Sequence, residues 1–124
     1  DLDRVYAEIW NLRQGTPTVL ITIDLYNPSL PAQVESGIAD ECIAWFEAWS
    51  DVIAEEAEAN GSLVVSLHDL FNGPDHDLDP AASGYIGPTA DDEFRTWYRA
   101  TPEGAALIAQ ALAEAGFEPV VRAE

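Results

Sequence analysis

Apolar positions along the chain switch between a helical and a strand period. From Asp1 to Gln14 they fall at Leu2, Val5, Tyr6, Ile9, Trp10 and Leu12, three and four apart, which predicts one apolar face of a helix. Gly15 and Pro17 stop it. Thr18 to Tyr26 reads TVLITIDLY, a β-branched run that suits a strand covered on both faces, as in a parallel sheet. Asn27-Pro28 and Pro31 then open a loop. Ile38 to Asn60 places Ile38, Cys42, Trp45, Phe46, Trp49, Val52, Ile53 and Ala57 on one helical face. Glu47, Asp51, Glu55, Glu56 and Glu58 cover much of the rest, and Asn60-Gly61 ends it. The expectation is a long amphipathic helix against a sheet, with Trp45 and Trp49 in the core or at an interface.

Ser62 to Phe71, SLVVSLHDLF, reads as a second strand with a polar exit. Asn72 to Asp91 is irregular, punctuated by Gly73, Pro74, Pro80, Gly84, Gly87 and Pro88. Asp92 to Arg99 is expected to form a helical turn or short helix. The last helix runs from Thr101 to Gly116: Thr101 suits the N-cap, Pro102 the first position and Glu103 the first turn. Ala105, Leu107, Ile108, Ala111, Leu112 and Ala115 form its apolar face.

Alternating helices and strands predict an α/β fold, a layered α/β/α arrangement with parallel strands. Residues 1–124 suit a single domain or a half-domain. Two strands leave both sheet edges and much apolar surface open. A homo-oligomer, or docking on a missing N-terminal half, is therefore expected. The chain has no Met, so a fragment or processed product is expected too.

Charge narrows the partners. Five Arg and no Lys stand against 23 acidic residues, a net charge of -18. The Arg are scattered, so no basic patch exists to bind nucleic acid or an anionic membrane surface. No apolar run is long enough for a membrane helix. The hydrophobic content of 48% is too high for a disordered acidic tail. The acidity reads as a solvated surface, with adaptation to salt or attraction of cations as the alternative. Cys42 is the only Cys, which excludes an intrachain disulfide. The compartment is not readable.

Candidate chemistry is sparse. Asp75, Asp77 and Asp79 have the spacing that opens a calcium loop, but Pro80 and Ile86 stand where an EF-hand needs Gly and Glu. A looser oxygen-ligated Ca²⁺ site on these three Asp remains as a reading, beside that of a solvated acidic loop. No other cofactor is implied. His68 and His76 are the only imidazoles. His68 is expected at the end of the second strand, on the same face as Ser66 but about 7 Å from it, too far for a nucleophile–base bond. His76 is expected in solvent. Arg95, Thr96, Trp97, Tyr98 and Arg99 combine cations and aromatics as interface anchors do. Glu8, Asp24, Asp40 and Glu41 show no glycosidase pairing.

Four stretches together resemble the C-terminal half of an SGNH (GDSL-type) hydrolase: TVLITIDLYNP, ECIAWFEAWSDVIAEEAEANG, SLVVSLHDLFNGPDHDLDPAASGYIGP and TPEGAALIAQALAEAGF. The resemblance implies a three-layer, flavodoxin-like α/β fold and ester hydrolysis by a serine in an early Gly-Asp-Ser motif. Neither that motif nor Gly-x-Asn-Asp occurs here. The family's closing Asp-x-x-His, its base and orienting acid, is altered: Arg99 stands at the His and Thr96 at the Asp. Arg stays protonated and cannot serve as a base. The implied function is a C-terminal segment of an ester hydrolase, without catalytic residues and inactive by itself. The alternative is a hydrolase-derived binding or assembly module working through oligomerisation.

Overall fold

The structure is a computed structural model that describes residues 1–88 and 98–122, with the side chains of Pro88 and Tyr98 excepted. Helix α1 (Leu2–Leu12) is followed by strand β1 (Ile21–Ile23), helix α2 (Leu30–Glu35) and the long helix α3 (Ala39–Ala59). Strand β2 (Leu63–Val65), helix α4 (Leu67–Asn72), strands β3 (Ile86–Pro88) and β4 (Tyr98–Ala100), and helix α5 (Pro102–Ala115) complete the order. The fold is mixed helix and strand around a small parallel sheet.

β1 and β2 pair in parallel, Ile21 opposite Leu63 and Ile23 opposite Val65. β3 and β4 form a separate antiparallel pair. The parallel pair is joined through α2 and α3, as a parallel connection requires a crossover. α3 packs on both strands and α5 on β2. α1 docks by Tyr6 and Trp10, four apart and both buried. The Tyr6 hydroxyl meets Thr22 Oγ1 at 2.7 Å, and Thr22 meets Ser62 Oγ at 2.8 Å, linking helix, β1 and the start of β2. Trp10 Nε1 donates to the Asn60 carbonyl, and Arg122 lies 4.5 Å over the Trp10 ring.

Thr101 caps α5 as its sequence predicts, Oγ1 accepting from the Gly104 N–H at 3.1 Å. Gly104 has a packing reason: a Cβ there would sit 2.0 Å from the Tyr85 carbonyl oxygen. That close approach seats α5 against the chain entering β3.

Four expectations fail. Asn27 to Ile38 is not all loop, since Pro31 sits near the start of α2, where a missing N–H costs nothing. The second strand ends at Val65, and Leu67 to Asn72 is helix α4. Apolar density within a short run does not distinguish strand from buried helix. Ile86 to Pro88 is strand, not irregular chain, and Tyr98 to Ala100 is strand, not helical turn. Thr89 to Trp97, including Arg95 and Thr96, lies outside the described residues.

Candidate functional site

Asp24 and Ser66 directly follow the parallel strands, at the end of an α/β sheet where ligands usually sit. Asp24 is buried and accepts three bonds, from Ser66 Oγ at 2.9 Å, from the Leu67 N–H and from the His68 N–H at 3.2 Å. Its carboxylate thus closes the first turn of α4, where orphan N–H groups need an acceptor. Ser66 is the N-cap, its oxygen also accepting from the Asp69 N–H at 3.0 Å. Ser66-Leu67-His68-Asp69 has the Ser-x-x-acid spacing of a capping box. That signal was available in the sequence and marks the helix start that the strand reading missed.

The helix turns His68 inward rather than along a strand face. It is fully buried beside Phe46, with ring centroids 5.7 Å apart. Among the described residues, neither of its ring nitrogens has a hydrogen-bond partner. His76 stacks on it, centroids 3.8 Å apart and planes 13° from parallel. His76 is not a solvated loop residue: Nε2 meets Asp69 at 2.8 Å and Nδ1 meets Glu47 of α3 at 3.2 Å. Burial and the neighbouring His76 charge hold the His68 imidazole below the usual range, against the pull of Asp24, Asp69 and Glu47. For His76, burial is outweighed by the bonds to Asp69 and Glu47, and its value is raised.

These groups border a cleft of about 530 Å³, lined by Asp24, Glu47, Asp51, Ser66, Asp69 and His76 among others. Its chemistry is acidic and largely self-paired. The ring hydrogen bonds of His76 run to carboxylates and the His68 ring makes none, so no hydroxyl–imidazole pair forms among the described residues. A nucleophile needs such a base within reach.

Asp75 and Asp77 are exposed, and Asp79 Oδ1 accepts from the Ala81 N–H at 2.9 Å, capping a turn. No three His, Cys, Asp or Glu side chains gather as a metal ion requires, among the described residues. Arg99 is exposed on β4.

A second concavity lies on the other flank of α3. Leu25, Trp45, Phe46, Trp49, Ser50 and Ile53 line an apolar groove of about 260 Å³. Trp45 and Trp49 are 63% and 57% exposed. Leu25, two residues past β1, ties the groove to the end of that strand. Leu63 N–H donates to Leu20, and Asp24 N–H to Val65, so the even-numbered residues of this strand face β2. By the two-residue period, the N–H and C=O groups of Val19, Ile21, Ile23 and Leu25 turn to the opposite edge. No strand pairs there among the described residues.

No family model, curated protein or solved structure matches the chain.

Proposed function

We propose that this chain works by association: its two-stranded sheet is one part of a larger layered, flavodoxin-like α/β sheet, as the resemblance to SGNH-type hydrolases implies. In ester hydrolysis its role is to supply that part of the scaffold, while the attacking serine and the base come from elsewhere. The observation that carries this reading is the open edge of β1 beside the bare apolar flank of α3. An unpaired edge with adjoining tryptophans attracts a further strand. Exposed apolar surface of this kind marks association sites.

The lack of a hydroxyl–imidazole contact among the described residues supports the division of labour. Its test is paired. Light scattering across a concentration series is expected to show the chain larger than a monomer, and Trp45→Arg with Trp49→Arg to shift it to the monomer with helix content kept. A short p-nitrophenyl ester is expected to show no turnover by the chain alone. A well-folded monomer at every concentration overturns the association reading. Turnover abolished by replacing one Ser overturns the non-catalytic one.

A further inference from the structure

We propose that the His68–His76 stack is a one-proton switch that clamps α3 to the turn following α4. Three geometric facts carry this. His76 uses both ring nitrogens on carboxylates, Asp69 at 2.8 Å and Glu47 at 3.2 Å. Ionised carboxylates only accept, so both contacts are hydrogen bonds only when the imidazole carries two protons and a positive charge. His68 lies against that cation at 3.8 Å, fully buried and without a partner for either ring nitrogen among the described residues. A second charge placed there has no hydrogen bond to receive it and a like charge in van der Waals contact.

The groups facing the pair come from every packed element. Asp24 after β1 holds the His68 backbone N–H, α3 presents Glu47 and Asp51, and α4 presents Asp69. Asp75 and Asp77 flank His76 in the turn. Their negative potential favours one proton on the pair, and burial with mutual repulsion opposes two. The clamped state is thus the singly protonated one. In acid, a proton on His68 splits the stack. In alkali, His76 loses its proton and one of its two carboxylate contacts loses its donor.

The turn favours release once those contacts go. His76 has φ 55, a left-handed conformation unfavourable for a residue with a Cβ. Gly73 opens the turn at φ 77, and Leu78 packs where its Cβ would be. The folded chain holds the His76 proton more tightly than the unfolded chain. Its contribution is therefore complete below about pH 6.5 and lost as pH rises through its folded value. His68 has the opposite sign: its contribution is complete above about pH 6.5 and lost as pH falls through its folded value. The clamp is tightest between the two.

The test is an NMR titration of the two imidazoles in the intact chain, with His76→Gln to assign them, at about 0.5 M salt to screen the net charge. The expected result is two resolved midpoints, His76 above and His68 below the free-imidazole value. Amide exchange at residues 75–78, divided by the intrinsic rate, is expected to be slowest between them. It should rise by about two- to fivefold as pH moves from about 6.5 through either midpoint, and level off beyond it. In His76→Gln, the His68 midpoint should move up and the alkaline limb vanish. His68→Phe, which keeps a stacked ring, should abolish the acid limb. Coincident midpoints at the free value, or exchange flat with pH in the wild-type chain, overturn the proposal without any variant needing to fold.

Discussion

The two flanks of α3 are opposite in chemistry and in completeness. Toward β2, Glu47 and Asp51 meet Ser66, Asp69 and His76, and the polar groups largely satisfy one another. Toward β1, Trp45 and Trp49 stand open beside Leu25 and an unpaired strand edge. A single helix therefore carries one side finished inside the chain and one that is not. The difference teaches that burial, rather than periodicity, separates core from open surface: both tryptophans share a helical face with buried Ala57, yet they lie on its uncovered margin.

The contrast breaks most severely at Asp24, on which the closed flank depends. Asp24→Ala leaves two backbone N–H groups and the Ser66 hydroxyl without their acceptor. A loss of about 3 kcal/mol is expected in urea unfolding. A loss under about 0.5 kcal/mol, the usual size for an inconsequential surface change, would show that the carboxylate does not hold α4.

Asn72 is next. It is buried and binds the Asn27 N–H through its oxygen, and the Asn27 and Leu78 carbonyls through its nitrogen. Asn72→Ala is expected to cost about 2 kcal/mol by the same measurement and to speed amide exchange around Leu78. Unchanged exchange there would mean that the turn is held elsewhere.

His76→Gln comes third, at about 0.5–1 kcal/mol, because Glu47 and Asp69 are themselves solvent-facing. The difference from wild type should be largest below about pH 6.5 and fade as pH rises, the sign set by the raised His76 value. A difference growing with pH would refute the assignment of charge.

On the open flank, Trp45→Gln or Trp49→Gln should move monomer stability by no more than about 0.5 kcal/mol while weakening association. A large loss in monomer unfolding would make that flank part of the core. Smallest is the effect of Ca²⁺: the melting temperature is expected to stay put at millimolar Ca²⁺, since Asp75, Asp77 and Asp79 do not gather as ligands. A rise of several degrees would favour the calcium reading.

Much of the frame was legible. α1, α3 and α5 follow from periodicity, and α5 also from its Thr101-Pro102 cap, because a helix face and a cap are local matters. The short parallel pair was legible as two runs, the β-branched TVLITIDLY and the apolar SLVVSLHDLF, although the second passes into α4 after Val65. The candidate site was barely legible. His68 was placed on a strand because Ser66 to Phe71 looks equally apolar as strand or helix. The Ser66–Asp69 capping pattern was the one overlooked cue. Nothing in the spacing of His68 and His76 announces a stack, since the Gly73 turn that joins them is itself a tertiary arrangement.

The sequence by itself determined helices α1, α3 and α5, the parallel strand pair, the strongly negative charge and the lack of a Gly-Asp-Ser motif. These depend on residue type and on neighbours within a few positions. Tertiary structure alone decided that Asp24 caps a helix more than forty residues away, that neither ring nitrogen of His68 finds a partner among the described residues, and which margin of α3 stays bare. The physical reason is that solvation and pairing belong to a position in space, where segments distant along the chain exclude water from one another or fail to.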